Sequence, residues 1–267
     1  MFFSFILYGA TLAQTCFYFH RYTGDRIGLK ALVAFIWLLD TARKGIMGQL
    51  LWYTYVQNHA NIESLSKIDR AYGVEHALAT ATIFTVQCFY LRTFLRLLPT
   101  HRLRIPVVIC GFILVVASLA GSIGVIYEVY SNPTDQSVFV HVNVPGRVQS
   151  FFALASDVYI TTSLFCILYT ARSSRVNSTT TGILSRLIGY TLHRGILLCI
   201  VQVLQIATYT ETGSELTDVF YFPSSTLYAN TLLAVLNARQ HVREVGADCQ
   251  DHYSIPLATI RTEEPTS

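Results

Sequence analysis

Ionisable side chains occur inside stretches of sequence that are otherwise apolar. One such stretch carries Asp40, Arg43 and Lys44 near its middle. Three others carry one polar residue each at a similar depth, namely Asp157, Arg194 and Asn230. A charge in the middle of a bilayer costs about 2.5–3.5 kcal/mol on insertion scales, so such residues turn away from lipid and mark candidate functional sites. We therefore predict that these side chains face each other or a watery cavity.

The spacing of the charges suggests how they pair. Asp40 lies three residues before Arg43 and four before Lys44, so an ion pair within one helix is available. That pairing leaves one cation over, and Asp157 would neutralise either this cation or Arg194. Three interpretations of the cluster remain open. It is a structural network that fixes helix packing, a ligand-binding or signalling cavity, or a path for ions or protons.

The sequence gives no support for a retinal protein, a haem protein or a known class of enzyme. The last apolar stretch has no lysine for a retinal Schiff base, and the sequence has no zinc-protease, nucleophile-elbow, P-loop or dinucleotide motif. His76 and His193 are expected near opposite faces of the membrane, which disfavours a haem ligated by two histidines. We expect His193 to hydrogen-bond between helices, and Glu75 and His76 to be polar residues at the rim. We expect no enzymatic activity, no cofactor and no metal.

The elements that position these residues are predicted to be transmembrane helices. The 267 residues are 52% hydrophobic and 13% charged, whereas soluble domains carry roughly 25% charged residues. The mean hydropathy is +0.43. Long apolar runs of about 20 residues each are enough to cross a bilayer. The fold class is thus all-α, a seven-helix membrane domain over residues 1–239, with approximate spans at 2–19, 31–56, 71–91, 105–127, 148–171, 187–209 and 219–238.

Orientation follows from the Lys and Arg residues, which are retained on the cytoplasmic side. Alternate connections, with the start of the tail, hold twelve of them, and the other connections hold three. This predicts an N-terminus outside and a C-terminus in the cytoplasm, in the plasma membrane in preference to internal membranes. Residues 240–267 are predicted to be a disordered tail. The basic loops suit a cytoplasmic protein partner, and a net charge of +3 is too small to indicate nucleic acid.

The C-terminal third resembles a group of basidiomycete fungal multi-pass membrane proteins that carry a C-terminal domain of unknown function, here over about 153–241. The most specific part is the ending from Tyr228 to Arg239, which reads YANTLLAVLNAR, and Leu38 to Thr41 and Val86 to Tyr90 support it. The resemblance implies a seven-helix integral membrane protein and no assigned activity. It singles out Asp40, Asp157, Asn230, Asn237 and Arg239. The chain departs from it in having Arg43 and Lys44 where relatives have histidine or neutral polar residues, and in beginning closer to the first helix.

The leading hypothesis is a receptor-like or sensory protein that binds an unidentified small molecule. A small-molecule or ion/proton transporter and a structural membrane protein without a ligand are the alternatives. The topology matches that of G-protein-coupled receptors, but the inner end of the third stretch reads Tyr90-Leu91-Arg92 and the last stretch has no Asn-Pro-x-x-Tyr signal. The receptor hypothesis therefore depends on topology alone.

Overall fold

The computed structural model describes residues 1–58, 70–97, 104–131, 138–173, 178–208 and 215–253. Within these ranges the chain forms seven α-helices and no β-strand. A π-helical turn, Tyr53–Gln57, continues the second helix. Numbered in chain order, the helices are α1 Phe2–Arg21, α2 Ile27–Trp52, α3 Arg70–Leu97, α4 Arg104–Ser131, α5 Val138–Ser173, α6 Ser178–Thr208 and α7 Glu215–Tyr253.

Each predicted apolar stretch falls on one of these helices. Six of the described helices are long and apolar enough to cross a membrane, which indicates an integral membrane protein. The other, α2, carries Asp40, Arg43 and Lys44 near its middle. The helix α7 continues to Tyr253, past residue 239, where we expected the disordered tail to begin. The rest of that tail, 254–267, lies outside the described residues.

The helices form a closed ring in chain order. Each helix packs against the next, and α1 packs against α7. Within the ring α3 also contacts α5 and α7, and α2 contacts α7. The helices α3 and α7 therefore contribute most to the interior.

Many of the apolar side chains of the bundle face outward, and many of its polar side chains face inward. Large hydrophobic residues are exposed along the outer faces, such as Phe112 and Ile113 of α4 and Ile196 and Ile200 of α6. Buried polar residues lie on every helix, and four of those on α2 and α3 are acidic or basic residues of full charge, Asp40, Arg43, Lys44 and Glu75. A surface of this kind suits lipid, because burying apolar groups away from hydrocarbon brings no hydrophobic gain.

The two ends of the bundle differ in their interiors. We call them the Met1 end and the Arg239 end. Most of the buried charges lie in the Met1 half. The Arg239 half is filled by a large apolar cluster, which includes Ile36 of α2, Val86 and Phe94 of α3, Ile160 of α5 and Leu232 of α7. This apolar layer separates the polar interior from the Arg239 end.

Close packing of α4 on α5 depends on glycine. A Cβ atom on Gly121 would lie 2.7 Å from the backbone nitrogen of Gln149 and 3.0 Å from the carbonyl oxygen of Pro145. One turn along, a Cβ on Gly124 would lie 2.9 Å from the Pro145 ring. Small residues let membrane helices approach until their backbones touch, which is a main source of attraction where the hydrophobic effect is absent.

We expect Gly121→Val to destabilise the bundle by roughly 1–3 kcal/mol, because the added atoms meet backbone that cannot move aside. The measurement is the midpoint of thermal unfolding of the detergent-purified protein. Gly9→Val is the matched control, since nothing lies within 4 Å of a Cβ at Gly9 of α1. Equal midpoints for the two variants would contradict this role of Gly121.

Candidate functional site

The first part of the buried network surrounds Lys44. Its Nζ lies 3.4 Å from Asp40 Oδ1 on the same helix, and it donates to Ser4 Oγ at 2.5 Å and to Thr226 Oγ1 at 2.8 Å. Thr226 in turn donates to Asp40 Oδ1 at 3.0 Å. These contacts join α1, α2 and α7 around one charge pair that is almost fully buried.

The second part pairs Arg43 with Glu75 of α3. The Nε atom donates to Glu75 Oε1 at 2.7 Å, and Nη2 lies 2.5 Å from the same oxygen. Nη1 donates to the Phe222 carbonyl oxygen at 2.9 Å and also contacts Ser225 Oγ. Both ionised side chains are fully buried. Since desolvated charges are tolerated only when paired and hydrogen-bonded, this pair fixes α2, α3 and α7 relative to one another.

The structure corrects two predictions about these charges. The ion pair within α2 is Asp40–Lys44, one of the two that the sequence allowed, but the cation left over, Arg43, is neutralised by Glu75 and not by Asp157. Glu75 and His76 were expected at the rim, yet they are only 0% and 3% exposed. With Glu75 included, the four buried charges on α2 and α3 sum to zero.

Asn230 belongs to the same network, as expected. Thr11 Oγ1 lies 3.0 Å from Asn230 Oδ1 and 3.3 Å from Asp40 Oδ2. The Asn230 amide donates to the Leu7 carbonyl oxygen at 2.8 Å. Asn230 therefore connects α7 to α1, and Thr11 links it to Asp40 of the first ion pair.

A chain of hydroxyl groups and one imidazole extends the network to α4. Tyr221 Oη donates to Glu75 Oε2 at 2.9 Å, so it accepts from His76 Nδ1, 2.7 Å away. The other ring nitrogen, Nε2, then accepts from Ser122 Oγ at 2.9 Å, and Ser122 Oγ contacts Thr80 Oγ1. This hydroxyl–histidine chain, Thr80–Ser122–His76–Tyr221, has consistent donors and acceptors from one end to the other.

Asp157 lies in a separate cluster at the middle of the bundle. Tyr228 Oη donates to its Oδ2, and Gln87 Nε2 lies 3.4 Å from its Oδ1 and 2.8 Å from Ser156 Oγ. Gln202 Nε2 lies 3.5 Å from Tyr228 Oη. The Asp157 cluster therefore draws on α3, α5, α6 and α7.

Arg194 does not pair with Asp157, which corrects one of the two pairings that the sequence left open. No nitrogen of Arg194 lies within the 4.0 Å ion-pair distance of the Asp157 oxygens. Instead the Arg194 Cζ atom lies 3.4 Å from the centre of the Tyr90 ring. His193, next to it, is exposed and bonds the Gly189 carbonyl oxygen of its own helix at 2.7 Å, so the expected bond between helices is also wrong.

Asn237 and Arg239 form contacts at the other end of the bundle. Arg239 Nη2 lies 2.8 Å from Asp25 Oδ2, in the loop after α1, and the guanidinium Cζ is 5.5 Å from the centre of the Tyr22 ring. Asn237 donates to the Gln14 carbonyl oxygen at 2.9 Å, and Tyr22 donates to the Asn237 carbonyl oxygen at 2.6 Å. We call this set the Arg239 latch. It fastens α7 to α1 where the polar network does not reach.

A narrow cavity lined by both polar and apolar residues lies between α3, α4, α5, α6 and α7. Its wall holds no Asp, Glu, Lys, Arg or His, and it has room for groups the size of water or a hydroxyl. Thr80 and Tyr221 of the hydroxyl–histidine chain line it, as do Gln202 and Gln205 of α6. The Oε1 atoms of both glutamines are buried without a hydrogen-bond partner among the described residues. Unpaired buried acceptors favour a guest that donates hydrogen bonds.

The sequence indicates which charged residues are buried, but it does not indicate most of the residues that they contact. Glu75, Tyr221 and Thr226 lie near helix starts or beside Pro223, where polar and aromatic residues ordinarily lie at the membrane interface. Tyr228 is part of the quoted YANTLLAVLNAR ending, but nothing in its spacing marks it as the partner of Asp157. Only the register between helices reveals these contacts, and one sequence does not determine that register.

Residues 153–241 match the model of a family of unknown function (DUF6534). The matched segment covers α5 from Ala153, all of α6 and most of α7, and so includes Asp157, Arg194, Asn230, Asn237 and Arg239. No curated protein matches the chain, and no solved structure does. The match agrees with a membrane protein and assigns no activity.

We expect Glu75→Gln to destabilise the protein by about 3–5 kcal/mol, because it leaves the buried Arg43 without a counter-charge. The measurement is the free energy of unfolding in a denaturing-detergent titration. The double variant Arg43→Met with Glu75→Leu removes both charges and should recover part of the loss. His193→Gln, at an exposed site, is the control. A double variant that loses as much as the sum of the single changes would contradict the pairing.

The Arg239 latch should respond to acid. Burial raises the pKa of Asp25, but hydrogen bonds from Tyr18 and Arg239 and the charge of Arg239 outweigh it and hold this pKa below the usual 3.8. A carboxylate with a lowered pKa stabilises the fold above its ordinary pKa, and that contribution is lost as the pH falls through the lowered value.

We therefore expect wild type to be more stable than Asp25→Asn by about 0.2–1 kcal/mol at neutral pH, as is usual for a partly exposed pair. The difference should stay constant down to about pH 5 and shrink once the pH falls below 3.8. Unfolding midpoints measured across this range test it, with Arg239→Gln as a second variant that should behave alike. A gap that persists at the acid end would count against the latch.

Proposed function

We propose that this chain is a receptor-like or sensory protein with seven membrane spans, and that a small uncharged polar molecule binds in the cavity between α3 and α7. The observation that carries the proposal is that Thr80 and Tyr221 belong both to the cavity wall and to the hydroxyl–histidine chain. A guest that touches either hydroxyl competes with a bond that leads to the Arg43–Glu75 pair.

Tyr221 is the residue through which a bound ligand would alter the network. Its hydroxyl accepts a hydrogen bond from His76 at 2.7 Å and donates one to Glu75 at 2.9 Å. A ligand donor or acceptor at this hydroxyl would break one of these bonds. Arg43 also hydrogen-bonds to the Phe222 carbonyl oxygen and to Ser225 of α7. A shift of Glu75 would therefore move Arg43 and, through it, α7, which reaches the Arg239 end.

The topology proposed for this function places the N-terminus outside and the C-terminus in the cytoplasm. The alternation of basic residues supports it, and α2 counts as a span because its charges face Glu75 and α7 and not lipid. The Arg239 end would then face the cytoplasm, where the basic connections would meet a protein partner. The plasma membrane is the proposed location.

A cavity-filling substitution mimics occupancy and tests the sensory proposal without knowledge of the ligand. Ala153→Val adds two methyl groups at the cavity wall. The reporter is an environment-sensitive, water-soluble maleimide dye on Cys249, in the last part of α7. The other five cysteines lie within the apolar stretches of α1, α3, α4, α5 and α6. We expect Ala153→Val to shift the emission of the dye, and Tyr221→Phe in the same background to abolish the shift.

Val158→Leu, at a lipid-facing position of α5, is the matched control and should leave the emission unchanged. Ser150→Val is a second variant of the cavity wall. Folded Ala153→Val and Ser150→Val proteins that both leave the dye unaffected would overturn the sensory proposal.

A proton path is the second candidate, favoured by the consistent direction of the hydroxyl–histidine chain. The apolar cluster of the Arg239 half weighs against it, because it interposes Ile36, Phe94 and Leu232 between the polar interior and that end. Proteoliposomes with a trapped pH dye separate the two. The sensory proposal expects no proton flux above protein-free vesicles, and flux that His76→Gln abolishes would favour the proton path.

A further inference from the structure

Arg194 is a buried cation whose bonding atoms are largely unused. Its side chain is 4% exposed, and one face of the guanidinium stacks on the Tyr90 ring with Cζ 3.4 Å from the ring centre. Stacking uses the π-face and leaves the N–H groups, which lie in the guanidinium plane, free to bind a partner.

The unused atoms lie on one edge. Nε and Nη2 of Arg194 are buried and have no hydrogen-bond partner among the described residues. These two nitrogens form the side-on edge of the guanidinium, whose parallel N–H bonds match the two oxygens of a carboxylate. The hydroxyl of Tyr90, itself 3% exposed, is likewise buried without a partner. Three polar atoms in one place therefore lack bonds.

The carboxylate of Asp157 does not fill this role. It is engaged by Tyr228 and Gln87 and lies beyond ion-pair distance of Arg194. Its negative charge nonetheless reaches Arg194 through a poorly polarisable interior. A second single negative charge is tolerable there, since Tyr228 and Gln87 already stabilise Asp157. A doubly charged phosphate would leave an excess of two negative charges there, against one for a carboxylate.

We propose that Arg194 and Tyr90 form a binding site for a molecule with a single carboxylate group. The carboxylate accepts hydrogen bonds from Nε and Nη2 of Arg194, and the Tyr90 hydroxyl supplies a further donor. The site is distinct from the cavity of the proposed function. Neither Arg194 nor Tyr90 is among the residues that line that cavity.

The carboxylate has two sources, a short water-soluble acid or an amphiphile whose chain lies in the bilayer. The experiment uses radiolabelled propionate and radiolabelled decanoate with the full chain in nanodiscs of uncharged phosphatidylcholine, and empty nanodiscs give the background. We expect saturable binding of at least one of them. Propionate binding identifies the aqueous source, and binding of decanoate alone identifies the membrane source.

Three variants separate recognition by the guanidinium from charge and folding. Arg194→Lys keeps the charge but not the parallel N–H pair, and should weaken binding by about tenfold or more. Arg194→Gln should abolish binding, and Tyr90→Phe should weaken it several-fold. His193→Gln, on the exposed face of α6, and Val158→Leu, at a lipid-facing position of α5, should bind as wild type. A loss of binding in either of these two controls would overturn the proposal.

Competition on the wild-type protein gives an answer even where a variant fails to fold. Decanol has the same chain and no carboxylate, so it should not displace decanoate. Absence of saturable binding of both acids, displacement by decanol at the same concentration as by unlabelled decanoate, or unchanged affinity in Arg194→Lys would each overturn the proposal.

Discussion

A charge inside a membrane must be balanced inside the protein, and the pairing of Arg43 with Glu75 and of Lys44 with Asp40 meets that requirement. These four side chains come from only two helices, but their remaining bonds come from α1 and α7. Helix α2 carries three buried charges near its middle, and it crosses the bilayer only if its charged face is covered on all sides. The arrangement of α1, α3 and α7 around α2 follows from this constraint.

The same constraint divides the interior. Polar groups gather in the Met1 half, where the ion pairs lie, and the Arg239 half holds an apolar layer that the Arg239 latch closes. A molecule entering from the Met1 side would therefore meet hydroxyls and amides and would not pass through. That division favours sensing over transport. Helix α7 connects these regions, because it takes part in the ion-pair network, the Asp157 cluster and the Arg239 latch.

The charged positions could be predicted from the sequence, but most of their partners could not. Asp40, Arg43 and Lys44 stand out because each interrupts an apolar stretch, and their burial follows from the cost of exposing them to lipid. The i,i+4 pair of Asp40 and Lys44 was among the options that helix geometry allows. Glu75 resembles an interfacial residue by its place in the sequence, and only packing of α3 against α2 carries it inward. Arg194 is the opposite case. The sequence offers Asp157 as a compensating acid, yet the register between the helices places the Tyr90 ring against Arg194, and Asp157 accepts a hydrogen bond from Tyr228 instead.

The central claim is that α2 crosses the membrane with its charges paired inside the bundle, so the two chain termini lie on opposite sides. Protease protection of tags at both termini, in sealed microsomes made with the full chain, tests this most directly. We expect the C-terminal tag to be digested and the N-terminal tag to be protected until detergent opens the vesicles. If protease removed both tags, or neither, α2 would not cross the bilayer, and the buried ion pairs would lose their role in the fold.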